Sequence, residues 1–419
     1  MKLSEVNLND LDAFERACPH DMFEVLRREA PVFWQEEPRG GSGYWAITRY
    51  DDLKQISRRP MEFSSERQGS LIRDPDPGAL AFIQQVMLSM DPPKHRNYRS
   101  LVNKAFTPRM VDGLRPRIAQ MCREIVNRVI EKGECDFVEE LAAPLPMLVI
   151  TELMGVPEED RMNVYAIGNK MVGFDDPEYH DGRTLEMKMK EKEAADENMQ
   201  LSAQMFMYAA KLREKALSHP SNDLATALVN VELDGRKLTP EEFNFFFLLL
   251  LIAGNETTRT VTTNGMISLL DHPDQLRALQ QDMSLLDGAV EEILRFSPAV
   301  HSFRRTATQE CEIRGQKIEE NAKLILWYPS ANRDEEVFPE PQRFDIRRSP
   351  NDHVAFGYGE HYCLGANLAR MELQEIFREI VTRIDGVERA AKPRRLRSNF
   401  INGVKEMRVE FAPGPVVAA

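Results

Sequence analysis

The stretch AFGYGEHYCLGANLAR, Ala355 to Arg370, constrains this chain more than any other. It sets one cysteine, Cys363, among Gly357, Gly359 and Gly365, with His361 two residues before it. Beyond it, Ala369, Leu373, Ile376, Phe377 and Ile380 fall on one face at helical spacing. The cysteine therefore stands at the mouth of a helix. Free backbone N–H groups and the positive end of the helix dipole meet its sulfur there, and both favour thiolate over thiol. A thiolate is a nucleophile or a metal ligand. As a nucleophile it needs a base, and His361 is a candidate. A cysteine hydrolase, however, does not need three glycines around its sulfur. They leave room for something large and flat to approach the backbone, or for donors to turn towards the sulfur. Haem meets both demands. A buried thiol in a glycine-rich turn is the plainer alternative.

The rest of the chain narrows the class. It has 419 residues, 42% hydrophobic and 29% charged, an ordinary globular composition with material for a large core. The net charge of −13, from 54 basic and 67 acidic side chains, argues against nucleic acid as the main partner. The cysteines Cys18, Cys122, Cys135, Cys311 and Cys363 are scattered, odd in number and free of CxxC spacing. That fits neither a disulfide framework nor a zinc site. The start, MKLSEVNLNDLDAF, has no apolar run. The longest apolar stretch, Phe245–Ala253, is far short of the ~20 residues a membrane span needs. A cytoplasmic protein without a membrane anchor is expected.

Element signals run in a clear order. The segments Ala30–Gln35 and Gly43–Tyr50 read as a hairpin around a Pro/Gly/Ser-rich turn. From about Thr107 to Leu285 the pattern is mostly helical, broken by the charged stretch Asp175–Gln200, a mobile loop or a solvated helix face. Strand-like and Pro-rich segments return over Gly315–Pro350, and NFINGVKEMRVEF reads as a closing hairpin. The expected fold is mainly α with small β-sheets, one domain over 1–419. Its parts are β-rich at about 28–60, helical at about 61–310, β and irregular at about 311–350, with the cysteine loop and last helix at 351–385.

Phe356-x-x-Gly359-x-His361-x-Cys363-x-Gly365 resembles the haem-binding signature of the cytochromes P-450. The resemblance implies that family's fold, with haem b between a long central helix and the helix of the cysteine loop. It makes Cys363 the proximal thiolate ligand, sets Phe356 beside it, and has Gly359 and Gly365 admit the turn and the porphyrin. Ala253-Gly254-x-Glu256-Thr257-Thr258, inside LLLLIAGNETTRTV, matches the family's central-helix motif. There Gly254 removes bulk where dioxygen sits, and Glu256 and Thr257 place an acid beside an alcohol for proton relay. The plainer reading has Gly254 as a packing notch, Glu256 solvated and the threonines bonded back to the helix. Glu292-x-x-Arg295, with Arg343 from the Pro-rich segment, matches a structural triad of the family. His95 and Arg99 in MDPPKHRNYR share a helix face, and with Arg305 and His361 they are implied to meet the haem propionates. Lys94 stands where acidic residues are frequent in the family.

The segments expected around the substrate are mostly apolar: Leu71, Ile72, Phe82, Met87, Met171, Val172, Phe174, Leu249, Ile252, Ala253, Val300 and Phe400. The stretches DDPEY, FNFFFLLLLIAGNETTR, SANRDEEVF and LRSNFINGVKEM look like those of bacterial steroid side-chain monooxygenases. The resemblance implies terminal hydroxylation of cholesterol or cholest-4-en-3-one. Alternatives are ω-hydroxylation of branched fatty acids or terpenoids, a peroxide-driven peroxygenase, and a haem or sterol carrier without turnover. No Gly-rich dinucleotide fingerprint is present. Electrons are therefore expected from a separate ferredoxin and its reductase, with O2 as co-substrate and the protein a monomer. Arg96, Lys104, Arg109, Arg347, Arg348 and Arg370 form a candidate basic dock.

Overall fold

The computed structural model describes residues 1–38, 41–105, 107–172, 178 and 193–418. The helices that matter below are α1 Tyr50–Ser57, α2 Lys94–Ala105, α3 Pro144–Leu153, α4 Pro240–Asp271, α5 Leu286–Phe296 and α6 Ala366–Arg383. Among the described residues no helix is long and apolar enough to cross a membrane. The chain divides into two compact units. One comprises Met1–Lys94, Val261–Ala366 and Arg397–Val404; the other comprises His95–Thr260, Asn367–Leu396 and the chain from Lys405 onward.

The first unit is built on a five-stranded sheet of β1 Val32–Gln35, β2 Tyr44–Ile47, β3 Phe63–Ser64, β4 Ser302–Ala307 and β5 Lys323–Trp327. Its order is β1-β2-β5-β4-β3. The expected hairpin forms, with Val32 opposite Ile47 and Gln35 opposite Tyr44, but Tyr50 already belongs to α1. β5 is buried along its whole length, parallel to β2 and antiparallel to β4. Its period-two alternation sends Leu324 and Leu326 into a cluster with Val32, Ile47, Leu53 and Phe63. Ile325 and Trp327 go into the opposite cluster with Phe14, Phe23 and Tyr44. A strand covered on both faces needs such an unbroken apolar run.

The second unit is mostly helical. Thr107 caps the helix Pro108–Asn127 by accepting from Met110 N–H at 3.2 Å, relieving one unpaired amide of its first turn. The Phe-rich start of α4 packs in this unit through Phe245 on Phe206 (4.8 Å between centroids) and Phe246 on Tyr98 (6.3 Å), both edge-on. The closing hairpin is not found as expected. The last strand, Arg408–Ala412, lies between Glu134–Asp136 and Asp385–Arg389, antiparallel to both. Its alternating burial suits a strand with one covered face, and the backbone groups that complete its ladder come from distant segments. Of the charged stretch 175–200, only Glu178 and 193–200 are described, the latter in the helix Glu193–Ser218.

Candidate active site

In the first unit the cysteine loop is closed by one backbone bond: Cys363 N–H donates to Phe356 O at 2.9 Å. That bond delivers the sulfur three residues ahead of α6. His361 ends the single 3-10 turn Gly359–His361, and the Phe356 ring lies 6.4 Å from Tyr362. Gly359 has φ +71°, and a Cβ there would stand 2.4 Å from the Ser57 carbonyl oxygen. Its smallness therefore serves the approach of the loop to the end of α1, and its positive φ suits the expected turn. Gly365 differs, since a Cβ there would meet nothing within 4 Å. The Tyr358 ring in this loop lies 4.8 Å from Lys54 Nζ and 4.8 Å from the Arg58 guanidinium, a clamp that no sequence motif announced.

Glu292 and Arg295 on α5 are fully buried and paired through two bonds of 2.8 Å. The third member is not the Arg343 guanidinium. Arg343 is 58% exposed and faces Glu340 and Asp345, giving the network only its carbonyl, which accepts from Arg295 at 3.2 Å. The second guanidinium on Glu292 is that of Arg348, 8% exposed, with Nε 3.2 Å from the carboxylate. Asn351 Nδ2 and Asp345 N–H donate to the same carboxylate at 3.1 and 2.9 Å. Four sets of donors around one carboxylate are what a buried charge requires. This also removes Arg348 from any surface dock.

Arg305, on β4, is buried. Its guanidinium makes one hydrogen bond, Nη1 to Arg304 O at 2.7 Å. No carboxylate lies within 4 Å of it among the described residues. Burial lowers its pKa, with Tyr328 and Asp91 acting in the other direction. A buried guanidinium with unspent donors calls for an anion.

In the second unit, α4 carries the motif. Phe243, Phe245, Phe246, Phe247, Leu248 and Leu251 are buried, while Leu249, Leu250, Ile252 and Thr257 are half-buried and Ala253 is exposed. Leu249, Ala253 and Thr257 follow each other at four-residue spacing, so one apolar face is left uncovered by this unit. Gly254 points elsewhere. A Cβ on it would stand 2.8 Å from Ile150 Cδ1 of α3, so Gly254 serves as a packing notch there. Thr257 Oγ1 donates to Ala253 O at 2.6 Å, a back-bond that loosens the helix ladder. Glu256 does not pair with Thr257. It is buried and ion-paired with Arg259, and Thr260 Oγ1 donates to it at 3.3 Å. The i, i+3 spacing of Glu256 and Arg259 was the available signal for this pair. On α2, His95 is buried and Arg99 half-buried at four-residue spacing, as expected.

Val300 bridges Ile401, and the Phe400 ring packs 5.7 Å from Phe303. Met87 is buried, Phe82 is exposed and Leu71 is half-buried. Ile72 packs against the Trp327 cluster, which makes it core. Met171 and Val172 end the helix Glu158–Val172 with side chains outside the described set, and Phe174 lies outside the described residues.

Within the first unit, a thiol at a helix mouth, an open glycine and a buried guanidinium with no anion among the described residues are donors that fit haem b. A family model described as Cytochrome P450 matches residues 15–389. The steroid C26-monooxygenase of Rhodococcus jostii (strain RHA1) is 37% identical over 414 residues, 97% of this chain and 84% of that protein. The methyl-branched lipid omega-hydroxylase of Mycobacterium tuberculosis (strain ATCC 25618 / H37Rv) is 38% identical, over 98% of this chain and 95% of that one. A Mycobacterium marinum cytochrome P450, solved in complex with pseudoionone, superposes with TM-score 0.86 at 35% identity, covering 95% of this chain and 97% of that one. The chain belongs to the cytochrome P450 family and is a haem b monooxygenase with that family's fold.

Proposed function

We propose that this protein hydroxylates the terminal methyl group of a steroid side chain. The likeness to the Rhodococcus jostii steroid C26-monooxygenase carries the proposal, because it runs through 97% of the chain and not only the cysteine loop. The half-buried apolar side chains Leu249 and Ile252 on α4 suit a hydrophobic substrate.

In this reading Cys363 is the thiolate ligand, and Arg305, His95, Arg99 and His361 hold the propionates. Haem bound there supplies the activation of O2 and the insertion of one oxygen atom into a C–H bond. Leu249 and Ile252 keep water from the reacting carbon. The Thr257 hydroxyl donates a hydrogen bond to Ala253 O and keeps lone pairs free to accept from water. On rotating out of that bond, Oγ1 passes its proton on and takes one from the water that donates to it. Glu256 enters that relay only by leaving Arg259; until then it holds the helix turn. Glu292, Arg295 and Arg348 keep the framework rigid. Electrons come from a separate ferredoxin and its reductase, the general arrangement among bacterial members of the family.

The relative that acts on methyl-branched lipids favours a second reading, ω-hydroxylation of a branched acyl chain, which is also terminal-methyl chemistry. Titrating the ferric protein with cholest-4-en-3-one separates the two. A low-to-high-spin shift, and a product bearing one added oxygen at the side-chain end in a ferredoxin-driven assay, support the steroid. No shift with the steroid but a shift with a methyl-branched fatty acid selects the second reading. A thiolate-type carbon-monoxide spectrum that disappears in Cys363→His assigns the ligand.

A further inference from the structure

A second reactive cluster lies in the unit built on the large sheet. Cys18 stands just before the ten-residue helix His20–Glu29. Its Sγ is 3.9 Å from His20 Nδ1 and 3.9 Å from His301 Nδ1, so two imidazoles reach one half-buried sulfur. His301 cannot swing away. It is 1% exposed, its N–H donates to Phe400 O at 2.8 Å, its carbonyl accepts from Tyr328 N–H at 3.0 Å, and its ring meets Phe14 edge-on.

Buried Arg333 adds a positive charge. Burial works against its guanidinium, an ionised Cys18 favours it, and Arg295 and Arg27 oppose it. Its Nε has no hydrogen-bond partner among the described residues. Bases and a cation around a partly accessible sulfur are the surroundings in which a thiol becomes a nucleophile. Three other cysteines sit in the opposite setting. Burial pushes the Cys122 thiol well up, the Cys135 thiol up to about 12, and the Cys311 thiol up against the pull of Arg59.

We propose that Cys18 is a thiol–disulfide exchange site that accepts small-molecule disulfides, with His20 and His301 as its proton acceptors. An imidazole nitrogen takes the Cys18 proton. The sulfur attacks one sulfur of the disulfide, and a new S–S bond forms as the old one breaks. The departing thiolate recovers the proton from the imidazolium. Cys18 is oxidised to a mixed disulfide and the small disulfide is reduced to one thiol. The site is separate from the cysteine loop and does not depend on the identity of the substrate.

The test treats the haem-loaded protein with glutathione disulfide at neutral pH and follows each cysteine by peptide mapping. Half-buried Cys311 is the internal reference. Cys18 is expected to form its adduct at least about tenfold faster than Cys311. His20→Gln, at a half-buried position, is expected to slow Cys18 severalfold and leave Cys311 unchanged. Cys18→Ser removes the adduct and leaves the haem spectrum intact. Equal rates at Cys18 and Cys311, or a Cys18 rate that His20→Gln does not change, overturns the proposal.

Discussion

Arg348 keeps its guanidinium on the fully buried Glu292 carboxylate, while Arg343, five residues earlier, turns its own to Glu340 and Asp345 at the surface. Removing one partner of a buried pair strands the other charge, so Arg348→Ala is expected to cost about 3 kcal/mol. Arg343→Ala is expected to stay under about 0.5 kcal/mol. Denaturant midpoints of the two variants measure the difference, and the reverse order would return Arg343 to the triad. Glu372, on α6, is a different buried acid. Burial alone holds its pKa well above the ordinary carboxylate range, and its Oε2 has no hydrogen-bond partner among the described residues. The folded protein keeps this proton at pH values where the unfolded chain has released it. Stability contributed here is therefore present at low pH and lost as pH rises above the usual carboxylate range. Wild type is expected to lose stability relative to Glu372→Gln between about pH 5 and about pH 8. An equal gap in urea midpoint at both pH values would show the carboxyl to be ionised.

Element contacts give two motif glycines a packing role that the motif does not show. Gly359 lets the cysteine loop approach the C-terminal end of α1, and Gly254 lets α3 approach α4 through Ile150. At Gly359 a side chain meets both a left-handed backbone and a carbonyl oxygen that cannot rotate aside. Gly359→Ala is expected to cost about 2 kcal/mol or more, visible in the unfolding curve whether or not haem is bound. Gly365 has neither constraint, so Gly365→Ala is expected to keep the polypeptide stable and weaken haem retention. Haem loss on dilution into apomyoglobin measures that. Equal haem retention in wild type and Gly365→Ala would mean that the open space at Gly365 is not the haem's. The Ile150 contact lies at the flexible end of a side chain, so the cost at Gly254 depends on how far Ile150 can turn.

At the scale of the molecule, the balance of charge bears on the electron donor. With a net charge of −13, this protein needs a local basic surface to receive the proposed ferredoxin if that donor carries negative charge. Arg109 and Arg347 are exposed. Reversing each to Glu is expected to slow ferredoxin-driven reduction about fivefold at low salt, with the gap closing as salt rises, while dithionite reduction is unchanged. Stopped-flow rates check this, and unchanged rates would remove both residues from the donor's surface. Much of the site was legible in the chain itself. The cysteine, its flanking glycines and the following helical period are contiguous, and so are the acid, the alcohol and the apolar run of α4. A helix mouth, a period of 3.6 and a hairpin register are local physics, so sequence alone determined the cysteine at a helix mouth, the helix that carries the acid and alcohol, and the first β-hairpin. The tertiary structure decided which of several arginines reaches Glu292, which atoms crowd each glycine, and which strands flank Arg408–Ala412. Those outcomes depend on where the chain returns after tens or hundreds of residues. Nothing in the local pattern separates one arginine, one glycine or one strand edge from the next.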